Sequence, residues 1–406
     1  YCKNNDLDDM YTSRKVQFIQ KGWQRISNGV VRPVDVPDFN MRASLSLEKD
    51  LTSSQIARSM VSSWRDNKKQ FRYINRYRLK HPDLPIAVDV SIVKQSARRG
   101  RELALTYTFQ EADLDRQPER YEIELEVENY MVGIGSRYST PEQLLVALKR
   151  VIKLVLSGLQ GTNYPVSYSE QNRILESYMR LLWNDKYREG QRVYPKNFVG
   201  PSSVSLQIKN IAPVNEDANI PNIRNGYTVT EKADGERKLL YIDETGKIFL
   251  IDTNMNVQFT GAKTVRTELF NTLIDGEHIP HNKEKKFINL YAAFDIYYKN
   301  GEDIREKAFM TEGSGDEAMQ FRLPILATVM KELNPVYVAD VNAPSPIRIE
   351  TKTFYASTQT QSIFQACAYL LTRVRSGVFD YETDGLIFTP SSLGVGGDKA
   401  GKAKSH

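Results

Sequence analysis

The sequence contains few of the residues that build disulfide frameworks and zinc sites. Its 406 residues include two cysteines, Cys2 and Cys367, and four histidines. Two cysteines cannot form a disulfide framework, and four histidines leave little for a zinc site. This usage is typical of a protein in a reducing compartment.

Long apolar runs and targeting signals are missing as well. The chain has no run of about 18 apolar residues, which excludes a transmembrane helix, and its N-terminus lacks the apolar core of a signal peptide. We therefore expect no membrane partner. Because the sequence does not begin with methionine, we interpret it as a piece of a longer chain.

Charge alone does not identify a partner. The chain has 55 basic and 50 acidic residues, a net charge of +5 and a pI near 8.8. Such a balance permits a polyanionic partner without requiring one. The apolar fraction of 40% and the length of 406 residues are typical of a globular protein with two or three domains.

The pattern of apolar residues changes along the chain. Residues 1 to about 135 read mainly as strands, and residues 185–226 are rich in proline, asparagine and glycine without periodicity. From Tyr227 short strands with tight turns return. Helical spacing predicts helices at 139–160, about 169–184, 321–333 and 361–375.

The segment Tyr227–Arg237, YTVTEKADGER, carries the clearest chemical signal. A strand runs into Lys232, a turn ends at Gly235, and Arg237 follows. This arrangement suits a lysine nucleophile at a strand end, with the glycine letting backbone approach a phosphate. A Lys-any-Asp-Gly match alone is weak, because roughly one chain in ten of this length has one by chance.

Three downstream segments strengthen the signal because each carries an acid on a strand. They are Leu273–Ile279 with Asp275 and Glu277, Tyr291–Tyr298 with Phe294 and Asp295, and Thr383–Thr389 with Asp384. Each alone is compatible with an ordinary strand-edge acid. The ordered set is hard to explain in that way.

The ordered set resembles the motifs of the covalent nucleotidyltransferase superfamily, which includes mRNA capping guanylyltransferases and ATP-dependent DNA and RNA ligases. The resemblance implies a lysyl-nucleotide intermediate, with Mg²⁺ or Mn²⁺ neutralising charge on the phosphates. It implies these roles: Lys232 as catalytic nucleophile, Arg237 on the nucleotide sugar, Glu277 near the ribose, Phe294 on the base and Asp384 on the metal.

One part of that family pattern is missing. Its motif V, a pair of lysines on a strand, is not found, and the oligonucleotide-binding (OB) fold that follows it is also absent. The chain ends about where motif V would begin. We interpret Lys399, Lys402 and Lys404, in the glycine-rich tail, as a flexible approach to that motif.

The first half contains strands with one charged face. In Tyr121–Glu128, YEIELEVE, every second residue is a glutamate, so the carboxylates share a face. A half-exposed strand with an acidic solvent face would explain this. Several such strands instead suggest a barrel with a hydrophilic lumen, where carboxylates hold a metal and basic side chains hold phosphates. We predict Glu122, Glu124 and Glu126 as metal ligands, and Arg42, Arg76, Arg78 and Lys94 as phosphate-binding residues.

This half resembles the metal-dependent triphosphate tunnel family, particularly the RNA triphosphatase domain of capping enzymes in large cytoplasmic DNA viruses. YEIELEVE matches its late Glu-any-Glu motif, and Val88–Lys94, VDVSIVK, matches another strand. The early Glu-any-Glu motif is missing, because residues 1–40 contain no glutamate.

Together the resemblances imply an α+β chain, with an N-terminal antiparallel β tunnel (triphosphate tunnel metalloenzyme-like) followed by a ligase- and guanylyltransferase-like nucleotidyltransferase domain. We predict a tunnel domain at 1–165, a helix and connecting segment at 166–226, and a nucleotidyltransferase domain at 227–406. The implied function is mRNA capping: pppRNA is trimmed to ppRNA, and GMP from GTP is then added.

The implied partners are the 5′ end of nascent RNA, GTP, a methyltransferase domain or subunit, and RNA polymerase. The implied location is the cytoplasm, meaning the host cytoplasm or the virion if the protein is viral. Two alternatives stay open. One is an ATP-dependent polynucleotide ligase with a lysyl-AMP intermediate, and the other is a polymerase-associated scaffold without catalytic activity.

Overall fold

The computed structural model describes residues 7–26, 29–100, 102–214, 220–311, 313, 315–358 and 360–396. Cys2 and the tail lysines Lys399, Lys402 and Lys404 lie outside the described residues. The chain divides into two compact units, Tyr1–Val155 and Leu156–His406. The finer domain boundaries expected from the sequence stay predictions. No helix in the described ranges is long and apolar enough to cross a membrane.

The first unit consists mainly of short strands. The strands are β1 (Ile19–Trp23), β2 (Arg25–Ile26), β3 (Gly29–Val30), β4 (Val34–Val36), β5 (Met41–Ala43), β6 (Ser46–Asp50), β7 (Arg72–Leu79), β8 (Ile86–Gln95), β9 (Arg98–Arg99), β10 (Glu102–Leu103) and β11 (Arg120–Val127). The helices are α1 (Leu7–Thr12), α2 (Gln55–Ser62), α3 (Phe109–Ala112) and α4 (Pro141–Gln160), which continues past the end of the unit.

The largest sheet of this unit has the order β11-β8-β7 and is antiparallel. The pairs β1–β6, β2–β3, β4–β5 and β9–β10 form separate two-stranded sheets. Within the described residues these sheets do not join into one continuous barrel, so the tunnel stays a prediction.

Helix α4 begins as its sequence predicts. The Thr140 hydroxyl accepts a hydrogen bond from the Gln143 amide at 3.4 Å, and the Gln143 side chain accepts one from the Thr140 amide at 3.2 Å. This reciprocal cap leaves Pro141 at the first helical position, where its missing N–H costs nothing. Ala147 and Val151 of the helix pack in one core with Leu84 and Ile86.

The second unit contains a large antiparallel sheet and a small one. Its strands are β12 (Tyr227–Ala233), β13 (Glu236–Ile242), β14 (Lys247–Asp252), β15 (Val257–Lys263), β16 (Thr272–His281), β17 (Phe287–Lys299), β18 (Glu302–Asp303), β19 (Val336–Tyr337), β20 (Arg348–Thr351), β21 (Tyr355–Ala356) and β22 (Thr383–Pro390). Its helices are α5 (Tyr168–Trp183), α6 (Arg322–Leu333) and α7 (Ile363–Arg375).

The eight-stranded sheet has the order β18-β17-β16-β13-β14-β15-β19, and β20 pairs in parallel with β17. The three-stranded sheet has the order β21-β12-β22. The predicted turns at Glu244–Gly246 and Asn300–Gly301 join β13 to β14 and β17 to β18. The four helices predicted from spacing are confirmed within two residues at each end. The second unit is therefore mixed α/β, with antiparallel sheets.

Both faces of the large sheet are covered, which explains why β13 is continuously apolar over residues 239–242. Leu239 and Tyr241 pack in one core with α5, and Leu240 and Ile242 pack in another with α6. A strand that is buried on both faces lacks the alternation of apolar and polar residues that a half-exposed strand shows. Helix α7 packs against the small sheet.

A buried ion pair joins α6 to β17. Asp295, half of the predicted Phe-Asp motif, accepts from Arg322 Nε at 2.8 Å and from Arg322 Nη2 at 3.1 Å. The Arg322 side chain is 1% exposed and the Asp295 side chain 7%. Arg322 also donates to the carbonyls of Lys307 and Leu393. Asp295 therefore stabilises the fold and is closed to a ligand.

Replacing Asp295 with asparagine leaves the Arg322 charge buried without a counter-ion. We expect the Asp295→Asn variant to lose about 3–5 kcal/mol of unfolding free energy, measured by urea denaturation. Glu268→Gln, in the exposed Arg266–Glu268 pair, is the control and should change it by less than about 1 kcal/mol. Equal effects of the two substitutions would contradict the role given to Asp295.

Candidate active site

The predicted nucleophile and the predicted metal-binding acid meet at the edge of the small sheet. The register of β12 and β22 puts Lys232 opposite Gly385 and shifts between Lys232 and Ala233. Lys232 Nζ lies 2.7 Å and 2.5 Å from the two carboxylate oxygens of Asp384. The two side chains are 47% and 51% exposed. The pair is therefore accessible to a ligand from solvent.

The turn after Lys232 packs closely on β16. A Cβ atom on Gly235 would lie 2.8 Å from Glu277 Cγ and 2.8 Å from the carbonyl oxygen of His278. The sequence suggested that this glycine leaves space for a phosphate. The contacts give another reason, because any side chain here would push the turn away from β16. The glycine thus fixes the distance between the Lys232 strand and Glu277.

Arg237 is held by an acid that is itself buried. Its Nε and Nη2 lie 3.1 Å and 2.5 Å from the oxygens of Asp275, which is 0% exposed. Tyr297 donates its hydroxyl to the same carboxylate at 2.5 Å. Burial opposes the charge of Arg237, but the Asp275 carboxylate more than compensates and raises the Arg237 pKa. Asp275 therefore orients Arg237 and is not free for a ligand.

Glu277 lies beside Arg237 on the large sheet. The strand register pairs Arg237 with Glu277 directly. Burial raises the pKa of Glu277, and the positive charge of Lys352 opposes this shift. The guanidinium carbon of Arg237 lies 5.9 Å from the centre of the Phe294 ring. Three predicted nucleotide-binding residues thus lie close together.

The sequence did not predict one group of residues that contacts Arg237. Phe198, Gly200 and Pro201 belong to the segment interpreted as connecting loop. The Phe198 ring centre lies 5.4 Å from the Arg237 guanidinium carbon, and Arg237 Nη1 donates to the Pro201 carbonyl at 2.6 Å. A Cβ atom on Gly200 would overlap Arg237 Nη2. The Gly-Pro dipeptide signals a turn, but no local pattern reveals a contact with residue 237.

The first unit contains a second charged cluster, on one face of the β11-β8-β7 sheet. Cross-strand ion pairs connect its outer strands: Arg72–Glu122 at 2.6 Å, Arg76–Glu124 at 2.7 Å and Arg78–Glu126 at 2.9 Å. Asp89 of the central strand is 0% exposed, and its Oδ2 lies 2.9 Å from Arg76 and 3.2 Å from Arg78. The mixed acid-base face expected from the sequence is therefore confirmed for these three strands.

Three carboxylates of this face could hold a metal ion. Oxygens of Asp89, Glu124 and Glu126 lie within 4.8 Å of one another. Oδ1 of Asp89 is buried and has no hydrogen-bond partner within the described residues. Carboxylate oxygens are the ligands that Mg²⁺ and Mn²⁺ prefer. The structure adds Asp89 to the predicted ligands, whereas Glu122 is not part of this group.

Two predicted phosphate-binding residues are not brought to this face. Lys94 follows Asp89 by five residues, so strand alternation points it the other way, and its Nζ lies 3.3 Å from the Asp115 carbonyl. Arg42 pairs with Asp35 at 2.6 Å in the β4–β5 sheet. The segment 41–48 does not form one strand, because it is divided between β5 and β6. Arg76 and Arg78 lie on the face as predicted.

Comparison with known proteins identifies the family. The model of the family "mRNA capping enzyme, catalytic domain" matches residues 158–399, more than half of the chain. The chain belongs to this family. The match includes Lys232, Arg237, Glu277, Phe294 and Asp384, and it confirms the resemblance to capping enzymes noted in the sequence. The matched residues lie within the second unit, which therefore contains the catalytic domain of this family.

Two curated relatives are capping enzymes. The chain is 30% identical over 188 residues to the "Probable mRNA-capping enzyme" of Acanthamoeba polyphaga mimivirus, covering 46% of this chain and 13% of the relative. It is 26% identical over 204 residues to the "mRNA-capping enzyme" of Danio rerio, covering 48% of this chain and 30% of the relative. The chain thus spans less than a third of either relative. A solved structure titled "Pmar-Lig_Pre." aligns over 45% of this chain and 41% of its own, at 13% identity and a TM-score of 0.26, and supports no conclusion.

The crowding at Gly200 predicts a substitution effect that backbone strain alone would not produce. Gly200 and Gly385 both have strongly positive φ, +137° and +149°, but only Gly200 has a neighbour within 4 Å of an added Cβ. We expect Gly200→Ala to lower the unfolding free energy by about 1–3 kcal/mol more than Gly385→Ala, measured by urea denaturation. Equal losses would mean that the loop does not pack on Arg237 as described.

Proposed function

We propose that this chain is a GTP:RNA guanylyltransferase that acts through a covalent lysyl-GMP intermediate on Lys232. The observation that carries the proposal is the contact of Lys232 with Asp384 at an exposed edge, beside a turn packed on Glu277. Membership of the capping-enzyme family supports the reaction class. The identity of the nucleophile rests on the motif and on this contact.

The chemistry requires a neutral amine at Lys232. Its Nζ attacks the α-phosphorus of GTP, an N–P bond forms, and the bond from that phosphorus to the pyrophosphate oxygen breaks. Pyrophosphate leaves with the bonding electron pair, and the amine gives its proton to solvent. An oxygen of the RNA 5′-diphosphate then attacks the same phosphorus, which releases the lysine and gives GpppRNA.

Asp384 has two tasks in this scheme. Its carboxylate holds Lys232 in an ion pair, and a protonated lysine is not a nucleophile, so this pair must open before attack. The same carboxylate fits a hard divalent cation because it offers two exposed oxygens. When bound, Mg²⁺ or Mn²⁺ would neutralise charge developing on the α-phosphate and on the leaving pyrophosphate.

Arg237, Glu277 and Phe294 suit the nucleoside part of GTP. Arg237, fixed by Asp275 and the Pro201 carbonyl, directs its charge toward the sugar. Glu277 has no hydrogen-bond partner for its carboxylate within the described part of the chain, so it is free to accept from ribose hydroxyls. The partly buried Phe294 ring offers a flat face to the base.

We propose RNA 5′-triphosphatase activity for the first unit. Asp89 Oδ1 is buried and has no hydrogen-bond partner in the described part of the chain, and oxygens of Asp89, Glu124 and Glu126 lie within 4.8 Å of one another, which favours a divalent cation. Arg76 and Arg78 provide charge for phosphates on the same face. The hydrogen bond from Lys21 to Glu48 raises the pKa of Lys21, and the charges of Glu124 and Glu126 act in the same direction.

The substrates and partners follow from this scheme. The 5′ end of nascent RNA supplies the triphosphate, and GTP supplies the cap nucleotide. A methyltransferase domain or subunit would act on the product, and RNA polymerase would deliver the transcript. An ATP-dependent ligase and a scaffold without catalytic activity are the alternatives, and nucleotide choice separates them.

Incubation with α-labelled GTP and Mg²⁺ or Mn²⁺ tests the nucleotidyl transfer. We expect a covalent label that acid releases and alkali spares, as for a phosphoramidate. Lys232→Ala should abolish the label because no neighbouring residue replaces the amine. Lys232→Arg should abolish it too, because a guanidinium stays protonated. A GTP label that survives Lys232→Ala would refute the assigned site, and preference for ATP would favour a ligase.

The triphosphatase proposal predicts different effects from two side chains of neighbouring strands. Glu124→Ala should remove metal-dependent release of γ-phosphate from pppRNA, whereas Lys94→Ala should retain it because Lys94 points to the other face. Both variants should keep the GTP label on Lys232. If Lys94→Ala removes phosphate release as completely as Glu124→Ala, the proposed face is incorrect.

A further inference from the structure

A buried ion pair lies directly behind the nucleophile and has no part in the scheme above. Glu231 precedes Lys232 on β12, and strand alternation turns its side chain to the opposite, buried side, where the residue is 1% exposed. Its carboxylate accepts hydrogen bonds from Tyr381 at 2.9 Å and Thr230 at 2.9 Å. Lys352 Nζ lies 3.2 Å from Oε1 of the same carboxylate.

Lys352 links the two sheets of the second unit. Its backbone amide donates to the carbonyl of Ala293 on β17 at 2.8 Å, which extends the pairing of the large sheet. Its Nζ donates to the carbonyl of Glu231 on β12 at 2.5 Å, in the small sheet. The side chain is 3% exposed. One lysine is therefore bonded to both the strand of the nucleophile and the strand of Phe294.

A net contribution to stability does not follow from the burial of such a pair. Burying two charges costs several kcal/mol per ion, and apolar residues of similar volume often serve a fold equally well. Burial lowers the pKa of Lys352, and the Glu231 carboxylate opposes this shift, as does the charge of Glu277. The Lys352 charge therefore interacts with the charges of both Glu231 and Glu277.

We propose that Glu231 and Tyr381 are positioning residues for nucleotidyl transfer. They fix Lys352, which holds the strand of Lys232 in place against the sheet that carries Glu277 and Phe294. This inference rests on the proposed guanylyltransferase function. Without Glu231, the Lys352 ammonium turns toward Glu277, and the strand of Lys232 loses its bond to the large sheet. The amine then no longer meets the α-phosphorus of a bound nucleotide.

The test separates nucleophile placement from nucleotide binding. Single-turnover formation of lysyl-GMP is measured over a range of GTP concentrations for the wild-type chain, Glu231→Gln, Tyr381→Phe and Glu350→Gln. Glu350 is the matched control, because it has the same charge, lies two residues from Lys352, and pairs with the exposed Arg348. Thermal unfolding of each variant is recorded alongside.

We expect Glu231→Gln to lower the maximal rate by about 10- to 100-fold, as for a reacting group displaced by about 1 Å. The half-saturating GTP concentration should change by less than about threefold, a small free-energy difference. Tyr381→Phe removes one hydroxyl and should lower the maximal rate in the same direction, while Glu350→Gln should match the wild type. An unchanged maximal rate in folded Glu231→Gln or Tyr381→Phe would overturn the proposal. A rise in the half-saturating GTP concentration with no change in the maximal rate would overturn it as well.

A second measurement does not depend on GTP. Amine acetylation of the whole chain, mapped by mass spectrometry, should leave Lys352 protected relative to the exposed Lys283. Glu231→Gln should remove part of that protection. If Lys352 reacts as fast as Lys283 in the wild type, the buried pair does not exist and the inference is wrong. If Lys352 is protected but the wild type takes no label, the proposed function is refuted and the positioning role with it.

Discussion

The antiparallel pairing of β12 with β22 is the constraint on which the candidate active site depends. The two strands are about 150 residues apart in sequence, yet their register puts Lys232 beside Asp384. Other contacts hold this pair close to the predicted nucleotide-binding residues. Gly235 lets the turn pack on β16, Lys352 connects β12 to the large sheet, and the large sheet presents Arg237 and Glu277.

The large sheet, which carries Arg237 and Glu277, is buried on both faces. Its β13 and β16 strands carry cores on two sides, with α5 against one face and α6 against the other. Burying the apolar residues is favourable, whereas burying a charged residue costs several kcal/mol unless the charge is paired. Asp275 with Arg237, at 2.5 Å, and Asp295 with Arg322, at 2.8 Å, meet that requirement. The candidate site is thus a small exposed group of side chains on a base in which these buried acids are paired.

Local patterns in the sequence predicted the elements well and the contacts between them less well. Helical spacing predicted the helices, and the structure shows local caps at Thr140 and Ser362, each a contact within four residues. The ordered motifs identified Lys232 and Asp384 and the capping-enzyme family. Phe198, Gly200 and Lys352 were not predicted, because each matters through contacts with residues far away in sequence.

In the first unit, the alternation of side chains along a strand predicted their faces correctly only where the strand is continuous. It correctly predicted that Arg76 and Arg78 share a face with Glu124, and it should have excluded Lys94, which lies an odd number of residues from Asp89. The break between β5 and β6 removed Arg42 from the set, and no residue type in that segment signals the break. The triphosphate tunnel itself stays a prediction for this unit.

Peptide mass mapping after incubation with GTP and Mg²⁺ tests the central claim most directly. The account predicts a mass increase of one GMP on the peptide that contains Lys232, with the modified nitrogen assigned to that lysine by fragmentation. An adduct on another lysine, or one that forms from ATP in preference to GTP, would contradict it.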